Sequence, residues 1–222
     1  NNSWGSPSSL KEATLYWPEI LKDQIIQGIV DIAKQGTLQV WAAGNHGRPD
    51  PALHAFLPHF MPELEAYWLT VVATDRNNQI ADLSNYCGIT ANWCLAAPGV
   101  EISSSVNNNG YRSMSGTSMA APHVTGAIAL AMQRFPYMDN KQIREVILTT
   151  ANNTEHLSNT AIYGQGLLDV AKAMQGPGKF RQDWIANLPN NPCAGLIDQT
   201  CNVWSNDISG PGALTKTGEG TL

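Results

Sequence analysis

The chain has 222 residues, with 13 basic and 18 acidic side chains and a formal net charge of -5. Its basic residues form no cluster, which argues against a nucleic-acid partner and against a basic membrane-binding face. No apolar run approaches the roughly 20 residues that a transmembrane helix needs, so we expect no direct membrane insertion by this segment. A hydrophobic content of 43% with seven tryptophans supports one main domain followed by a tail.

Strand and helix signals alternate over residues 1–74. A short extended edge is expected at residues 2–4. A long helix is predicted over residues 10–35, because apolar side chains recur there at helical spacing: Ile20, Leu21, Ile25, Ile29, Ile32 and Ala33. Residues 37–43 and 69–73 are apolar runs typical of buried strands. This βαβ pattern predicts an α/β fold with a parallel sheet between helices and ligands at the carboxyl ends of the strands.

The second half of the chain is predicted to be mainly helical. Residues 75–111 are expected to form a loop region. Helices follow over 118–135 and 140–150, both facing the core, and a short one over 166–174. Gly-Pro-Gly at 176–178 predicts the domain boundary. The last residues, 187–222, are rich in Asn, Gly, Thr and Pro, which favours a linker or the start of a second element.

The four cysteines form two local pairs, Cys87 with Cys94 and Cys193 with Cys201, each of which can close a short loop. We expect two disulfides and therefore an oxidising compartment, since the chain has no Cys-x-x-Cys metal or redox motif. Four reduced thiols are the alternative. Four cysteines allow three disulfide connectivities, and the sequence alone does not choose among them.

Ser118 lies at the start of the predicted helix 118–135, within the segment GTSMAAPH (116–123). The positive end of a helix and its unpaired N–H groups favour a developing oxyanion, and small neighbours allow a substrate backbone to approach. These properties suit a catalytic nucleophile. A serine at this position is also a common helix N-cap, and the residues alone leave both roles open.

Residues 116–126 (GTSMAAPHVTG) resemble the nucleophile motif of the subtilisin-like serine proteases, the subtilases, nearly residue for residue. The resemblance continues in the family's order and covers about residues 1–175, through the segments AAGN (42–45), APGV (97–100) and YGQGLL (163–168). It implies a subtilisin-like three-layer α/β fold and a serine endopeptidase that cleaves protein or peptide substrates through an acyl-enzyme on Ser118. No cofactor is implied, and no acidic cluster has convincing spacing for a metal such as calcium.

The same resemblance implies roles for other site residues. Asn45 matches the residue that donates to the oxyanion, together with the Ser118 backbone N–H; without the resemblance, Asn45 is an ordinary turn residue. Two walls of the pocket for the residue before the scissile bond are implied, formed by Ser3, Trp4 and Gly5 and by Ala42, Ala43 and Gly44. Gly5 and Gly44 leave room for a sizeable apolar side chain, although Trp4 has an alternative role as a core anchor.

In subtilases, an Asp-x-Gly turn and a His-Gly-Thr-His helix supply the orienting carboxylate and the general base, and neither motif occurs in this chain. His123 follows Ser118 by five residues on one predicted helix, so it points away from Oγ and is expected to be a packed structural residue. Ordinary structural roles are expected for the other four histidines, at positions 46, 54, 59 and 156. The missing pair is therefore expected from an upstream segment of a longer precursor, in agreement with a start that has no initiator methionine or signal peptide. The alternative is a degenerate protease domain that serves as an adhesin or structural passenger.

Two segments resemble a narrower group, the subtilase autotransporters of Gram-negative bacteria. Residues 87–98 are similar to their cysteine loop, and the tail looks like the entry into a parallel β-helix stem. The implied division is a catalytic portion over 1–176, a linker with a disulfide loop over 177–203 and the start of the stem over 204–222. Such a passenger is exported across the outer membrane and is secreted or held at the bacterial surface. The alternative is a free secreted subtilase with a disordered glycine-rich extension.

Overall fold

A parallel sheet forms the centre of the computed structural model, which describes residues 1–4, 8–196 and 199–222. Its three strands, in spatial order, are β1 (Gln39–Ala42), β2 (Trp68–Thr74) and β3 (Cys94–Pro98). All seven residues of β2 are buried, as expected for the middle strand of a parallel sheet covered on both faces. Asn2 forms a parallel bridge with Trp41, which confirms the predicted edge at the beginning of the chain.

Helices cover both faces of the sheet. One face carries α1 (Leu10–Ile20), α2 (Gln24–Lys34) and α3 (Leu57–Phe60), and the other carries α4 (Thr117–Arg134) and α5 (Asn140–Thr149). Side chains of β2 alternate between the two sides: Leu69, Val71 and Ala73 pack with α4 and α5, whereas Trp68 packs with α2. The three-layer α/β arrangement predicted from the sequence is therefore confirmed.

The remaining short elements connect these layers. They are 3-10 helices at Leu53–Phe56, Pro62–Tyr67, Gly88–Trp93 and Glu155–Ser158, a hairpin of β4 (Ile102–Val106) and β5 (Gly110–Met114), and the short helices α6 (Thr160–Tyr163) and α7 (Val170–Ala173). Among the described residues, we find no helix with the length and apolar character needed to cross a membrane.

Several predicted elements differ from the structure. The single helix expected over 10–35 is two helices, because the Asp23 side chain accepts a hydrogen bond from the Ile25 N–H at 2.7 Å and begins α2. The expected loop region 75–111 contains β3 and β4 and the first part of β5. The run of alanines in β3 carries little strand propensity, and its pairing with β2 compensates for that.

The helix expected over 166–174 is shorter than predicted, since its first residues are extended beside the sheet. Leu167 bridges to Ala96 of β3, and α7 begins only after Asp169, whose side chain accepts a hydrogen bond from the Lys172 N–H. The expectation that α4 and α5 both face the core holds fully only for α5. One side of α4 is buried, but its opposite side is exposed.

The segment after residue 176 packs against the main core. A strand, β6 (Trp184–Asn187), pairs in parallel with β7 (Leu214–Thr217). Trp184, Ala186 and Leu188 are buried in the same cluster as α4 and α5. Burial alternates along β6, with Trp184 and Ala186 buried and Ile185 and Asn187 exposed, because one face of the strand lies on the helices.

Arg181 connects this segment to two other parts of the fold. Its guanidinium donates from Nε and Nη2 to the two carboxylate oxygens of Glu145 on α5, each at 2.7 Å. Nη1 donates to the Asn92 carbonyl at 3.0 Å, inside the first cysteine loop. Bidentate geometry of this kind is among the stronger side-chain interactions, so the downstream segment is firmly attached to the main domain.

Both predicted disulfides are present. Cys87 is bonded to Cys94, and Cys193 to Cys201, with Cα atoms 5.7 and 5.6 Å apart. The first bridge is buried and closes the loop that leads into β3. Gly164 lies against it, since a Cβ there would come within 2.2 Å of the Cys94 carbonyl oxygen.

Candidate active site

Ser118 lies in the first turn of α4, near the carboxyl end of β2. The turn is held there by the Gly116 N–H, which donates to the Gly99 carbonyl at 2.7 Å. Gly99 must be small, because a Cβ at that position would lie 2.5 Å from the Cβ of Ala73 in β2. Two glycines therefore bring the helix start against the end of the central strand, where an α/β fold is expected to bind its ligand.

The loop after β1 carries Asn45 to the same helix start. Its Oδ1 accepts hydrogen bonds from the Thr117 N–H at 2.8 Å and from the Thr117 Oγ1 at 2.9 Å. A backbone N–H can only donate, so this contact fixes which end of the Asn45 amide is the oxygen. Within the described part of the chain, the Nδ2 of Asn45 donates to no protein atom. Asn45 is exposed, and its Nδ2 is thus an oriented donor available to a ligand.

Ser118 contributes a second donor beside Asn45. Its backbone N–H belongs to the first turn of α4, where helix geometry provides no carbonyl partner. The Ser118 Oγ contacts the Ser3 carbonyl at 3.5 Å, and the Ser3 Oγ contacts the Ser118 carbonyl at 3.4 Å. A hydroxyl next to two preorganised donors is the arrangement that stabilises an oxyanion during attack on a carbonyl carbon.

In the described regions, no hydrogen bond joins Ser118 to a histidine. His123 is exposed, with its Nδ1 2.9 Å from the Met119 carbonyl, so in this structure it is not the packed residue that we expected. The reason is that the side of α4 carrying it is uncovered. His54 is buried, with ring centroids of Trp4 and Trp41 each 5.1 Å from its own. Burial lowers the pKa of His54 below its ordinary value, an effect that the charge of Asp23 partly opposes.

In the described part of the chain, the remaining histidines form no hydrogen bond with Ser118 either. His46 and His59 are exposed. His156 is 2.9 Å from the Asn78 carbonyl and packs against the ring of Tyr163. The described residues therefore place hydrogen-bond donors beside Ser118, and none of the five histidines is hydrogen-bonded to it within these residues.

Residues 1–166 match the sequence profile of the Subtilase family. The chain belongs to the subtilase family. It is 32% identical over 236 residues to Serotype-specific antigen 1 of Mannheimia haemolytica, a match that covers 100% of this chain and 24% of that protein. An extracellular serine protease of Serratia marcescens is 35% identical over 241 residues, with 86% and 23% covered. The Neisserial autotransporter lipoprotein NalP of Neisseria meningitidis is 30% identical over 262 residues, with 100% and 24% covered.

The subtilase chain thus spans about a quarter of the length of these curated relatives. Solved structures agree on the fold. The self-cleaved protease domain of PatA superposes with a TM-score of 0.57 at 27% identity, covering 67% of this chain and 53% of that one. The prenylagaramide maturation protease PagA gives a TM-score of 0.62 at 24% identity, with 78% and 60% covered.

Two of the residues expected to line a substrate pocket in this subtilase, Ser3 and Gly44, contact the start of α4, and the described pocket residues differ in exposure. Ser3 contacts the nucleophile directly, as described above, and Gly5 lies outside the described residues. The ring of Trp4 packs edge-on against Trp41, with centroids 5.4 Å apart, and 53% of the residue remains exposed. Trp4 therefore fulfils in part the alternative role considered for it, that of a core anchor.

The second expected wall is more buried than the first. Ala43 is fully buried, whereas Ala42 and Gly44 are half-buried. Gly44 has a φ of +105°, and a Cβ there would lie 2.7 Å from the Nδ2 of Asn85. The glycine at position 44 is thus required by its φ and by close packing below the loop, in addition to any room that it leaves for a substrate.

Thr117 is a site residue that the sequence analysis did not single out. It is fully buried, and its N–H and Oγ1 both hold the Asn45 amide, while its Oγ1 also accepts a hydrogen bond from the Gly44 N–H at 3.1 Å. Its position directly before Ser118 was the available signal, but a threonine at a helix start has many ordinary roles.

Proposed function

We propose that this chain is the carboxy-terminal part of a serine endopeptidase domain that hydrolyses peptide bonds through an acyl-enzyme on Ser118. The observation that carries the proposal is the Asn45 amide, which Thr117 holds with its Nδ2 free beside the Ser118 N–H. Two fixed donors at this place would bind the charge that develops on the carbonyl oxygen of a substrate. One relative is named an extracellular serine protease and another structure is a self-cleaved protease domain, which supports the same chemistry here.

The general base and its carboxylate come, in this proposal, from an upstream segment of the same precursor. A serine hydroxyl near neutral pH is a weak nucleophile until a base accepts its proton. The exposed side of α4 supports a covering segment: it includes Pro122, His123 and Gly126, and it continues to Leu130, which is 49% exposed. A largely apolar side on a helix whose other side is core fits a surface that is buried in the complete protease.

Protein or peptide chains are the proposed substrates. The Ser3 carbonyl next to Ser118 and the half-buried Ala42 would flank the residue before the scissile bond, and the exposed part of the Trp4 ring would add an apolar surface. Small residues around the nucleophile leave space for an extended substrate backbone to approach.

We further propose that the chain is part of an exported passenger, secreted or held at the bacterial surface. The Neisseria relative is named an autotransporter lipoprotein and the Serratia relative an extracellular protease. Two disulfides suit an oxidising compartment. Lys179 pairs with Ser209 and Trp184 with Leu214, a constant offset of 30 residues that is typical of stacked parallel rungs. On this basis a β-helix stem would begin near residue 179, ahead of the boundary at 204 expected from the sequence.

Labelling with a fluorophosphonate probe tests the proposed function. We expect the complete protease, upstream segment included, to label at Ser118, and the Ser118→Ala variant to remain unlabelled. The 222-residue chain alone should barely label, and co-expression with the upstream segment should restore labelling.

Two outcomes would contradict the proposal. A complete protein that folds but neither labels nor cleaves peptides favours the degenerate domain that serves as an adhesin or structural passenger. Rapid labelling of the isolated chain that is lost on substitution of one of its histidines places the base inside this chain.

A further inference from the structure

Asn85 lies beneath the loop 43–48 and uses its whole side-chain amide to hold it. The Oδ1 of Asn85 accepts hydrogen bonds from the backbone N–H groups of His46 at 3.0 Å and Arg48 at 3.1 Å. Its Nδ2 donates to the Ala43 carbonyl at 2.9 Å. The residue is 1% exposed, so these groups meet one another away from water. A buried amide with this set of partners specifies the path of the backbone that it binds.

Gly44 links Asn85 to the conformation of the loop. The Gly44 carbonyl accepts a hydrogen bond from the Asn85 N–H at 2.9 Å, and its Cα lies so near the amide that a Cβ would not fit. On the other side, the Gly44 N–H donates to the Thr117 Oγ1. The loop is therefore held from below by Asn85 and from the helix start by Thr117.

Asn45 is the residue between these two contacts. Thr117 binds the Oδ1 of its side chain, and the Asn85 side chain binds the backbone two residues before it, at Ala43, and one residue after it, at His46. An oxyanion donor is placed about 2.7–3.1 Å from the oxyanion, and a displacement of about 1 Å in a catalytic group is costly in rate. Loss of the Asn85 amide would remove three hydrogen bonds that hold the loop, those of the His46 N–H, the Arg48 N–H and the Ala43 carbonyl. The Ala43 carbonyl would keep its bond from the Ala52 N–H at 2.8 Å, so we expect the part of the loop at residues 46–48 to move most.

We propose that Asn85 is a positioning residue for the oxyanion site, acting through the backbone of loop 43–48 on the Asn45 side chain. The inference rests on the proposed function, because it assigns an effect on catalysis to a residue that touches neither substrate nor Ser118. It predicts an effect of Asn85 on kcat that depends on the presence of Asn45.

A double-mutant cycle in the complete protease tests this dependence. Asn85→Ala, Asn45→Ala and the double variant are compared by kcat and KM on a fluorogenic peptide. We expect Asn85→Ala to lower kcat by about tenfold with KM changed by less than about twofold. In the Asn45→Ala background, the same substitution should lower kcat by less than about twofold. An equal fold-loss in both backgrounds, or no loss in either, overturns the proposal.

Two further variants separate positioning from general destabilisation. Thr70→Val removes another fully buried side-chain hydrogen bond, from its Oγ1 to the Ala55 carbonyl at 2.8 Å, outside the loop. It should lower the Tm without lowering kcat, and a kcat loss as large as that of Asn85→Ala contradicts the proposal. Asn85→Asp keeps both acceptor contacts but loses the donor, so we expect a kcat between those of the wild type and Asn85→Ala.

If the alanine variant does not fold, Asn85→Asp takes its place in the double-mutant cycle. The fold-loss in kcat with Asn45 present and with Asn45→Ala then tests the proposal in the same way. Failure of the proposed function is distinguishable from failure of this inference. A normal kcat in the single variant Asn45→Ala refutes the oxyanion role of Asn45. A reduced kcat in Asn45→Ala together with a normal kcat in the Asn85 variants refutes only the role of Asn85.

Discussion

On one side of Ser118 lies a loop whose backbone is held by buried side-chain hydrogen bonds, and on the other lies a helix surface exposed to solvent. The loop side contains Asn45, oriented by Thr117 and by the buried Asn85. The helix side carries His123 and leads to Leu130, and within the described residues nothing packs over these two side chains.

This difference separates two functions of one candidate site. Oxyanion donors need only a strand end, a loop and a helix start, all of which lie within 74 positions of one another in this chain, from Gly44 to Ser118. In the proposed function, the base comes from an upstream segment and approaches over the uncovered side of α4. In the proposed site, the loop side thus provides the oxyanion donors within this chain. The helix side is the surface on which the upstream segment with the base would dock.

The substitution with the largest expected effect removes the Oγ of Ser118, the atom that lies between the two sides. In the complete protease, Ser118→Ala should lower kcat by about 10⁶-fold, because Oγ is the attacking atom in the proposed mechanism. The Tm should change little, since the substitution deletes one half-buried hydroxyl oxygen. Peptide turnover and thermal unfolding measure the two quantities. Retained turnover would remove Ser118 from its assigned role.

A second substitution tests the loop side alone. Asn45→Ala should lower kcat by about 10²–10³-fold, the loss known for removal of one oxyanion-hole donor from subtilisin, to which this chain is related. KM should remain nearly unchanged, because the donor acts mainly on the charge of the transition state. Steady-state kinetics on one peptide provide both constants. A variant with normal kcat and raised KM would make Asn45 a binding residue.

A third substitution tests the helix side. Leu130→Asp should reduce fluorophosphonate labelling after co-expression with the upstream segment by about tenfold or more, because docking would bury an unpaired carboxylate. Val203→Asp is the matched control, since Val203 lies outside α4 and both side chains belong to residues that are 49% exposed. Equal labelling of the two variants would show that the uncovered side of α4 does not receive the segment.

The smallest expected effect concerns His54, which supports Trp4 at the edge of the site. Its pKa in the folded protein is below the ordinary value of 6.5, so the unfolded chain binds a proton first as the pH falls below about 6.5. The contribution of His54 to the free energy of unfolding is therefore constant above that pH and declines below it. His54→Phe lacks this titration.

Urea unfolding of the wild type and His54→Phe at pH 7.5 and pH 5.5 measures the difference. We expect the wild type to lose more stability than the variant between these two pH values. Equal losses would mean that the burial of His54 between two tryptophan rings does not affect its titration.

Local sequence patterns determined much of this fold. Residues 69–73 and 140–150 were predictable because one strand is mostly apolar and one helix repeats its apolar residues at regular spacing. Both disulfides were predictable from cysteines only seven and eight positions apart. Ser118 and Asn45 became candidates through motif resemblance.

Tertiary structure decided what depends on distant partners. β3 has weak strand propensity and exists through its pairing with β2. The packing of Trp184 and Leu188 against α4 and α5 joins the expected linker to the core.

At the site itself, the sequence determined which residue types are present, and tertiary structure decided how they are oriented. Thr117 holds Asn45 across 72 positions, and Asn85 reaches Ala43 across 42. No periodicity or local motif encodes such contacts, because a side-chain hydrogen bond depends on where the sheet brings two loops together in space. The chemistry of Asn45 thus follows from its side chain, whereas its direction follows from two buried neighbours that only the folded chain brings to it.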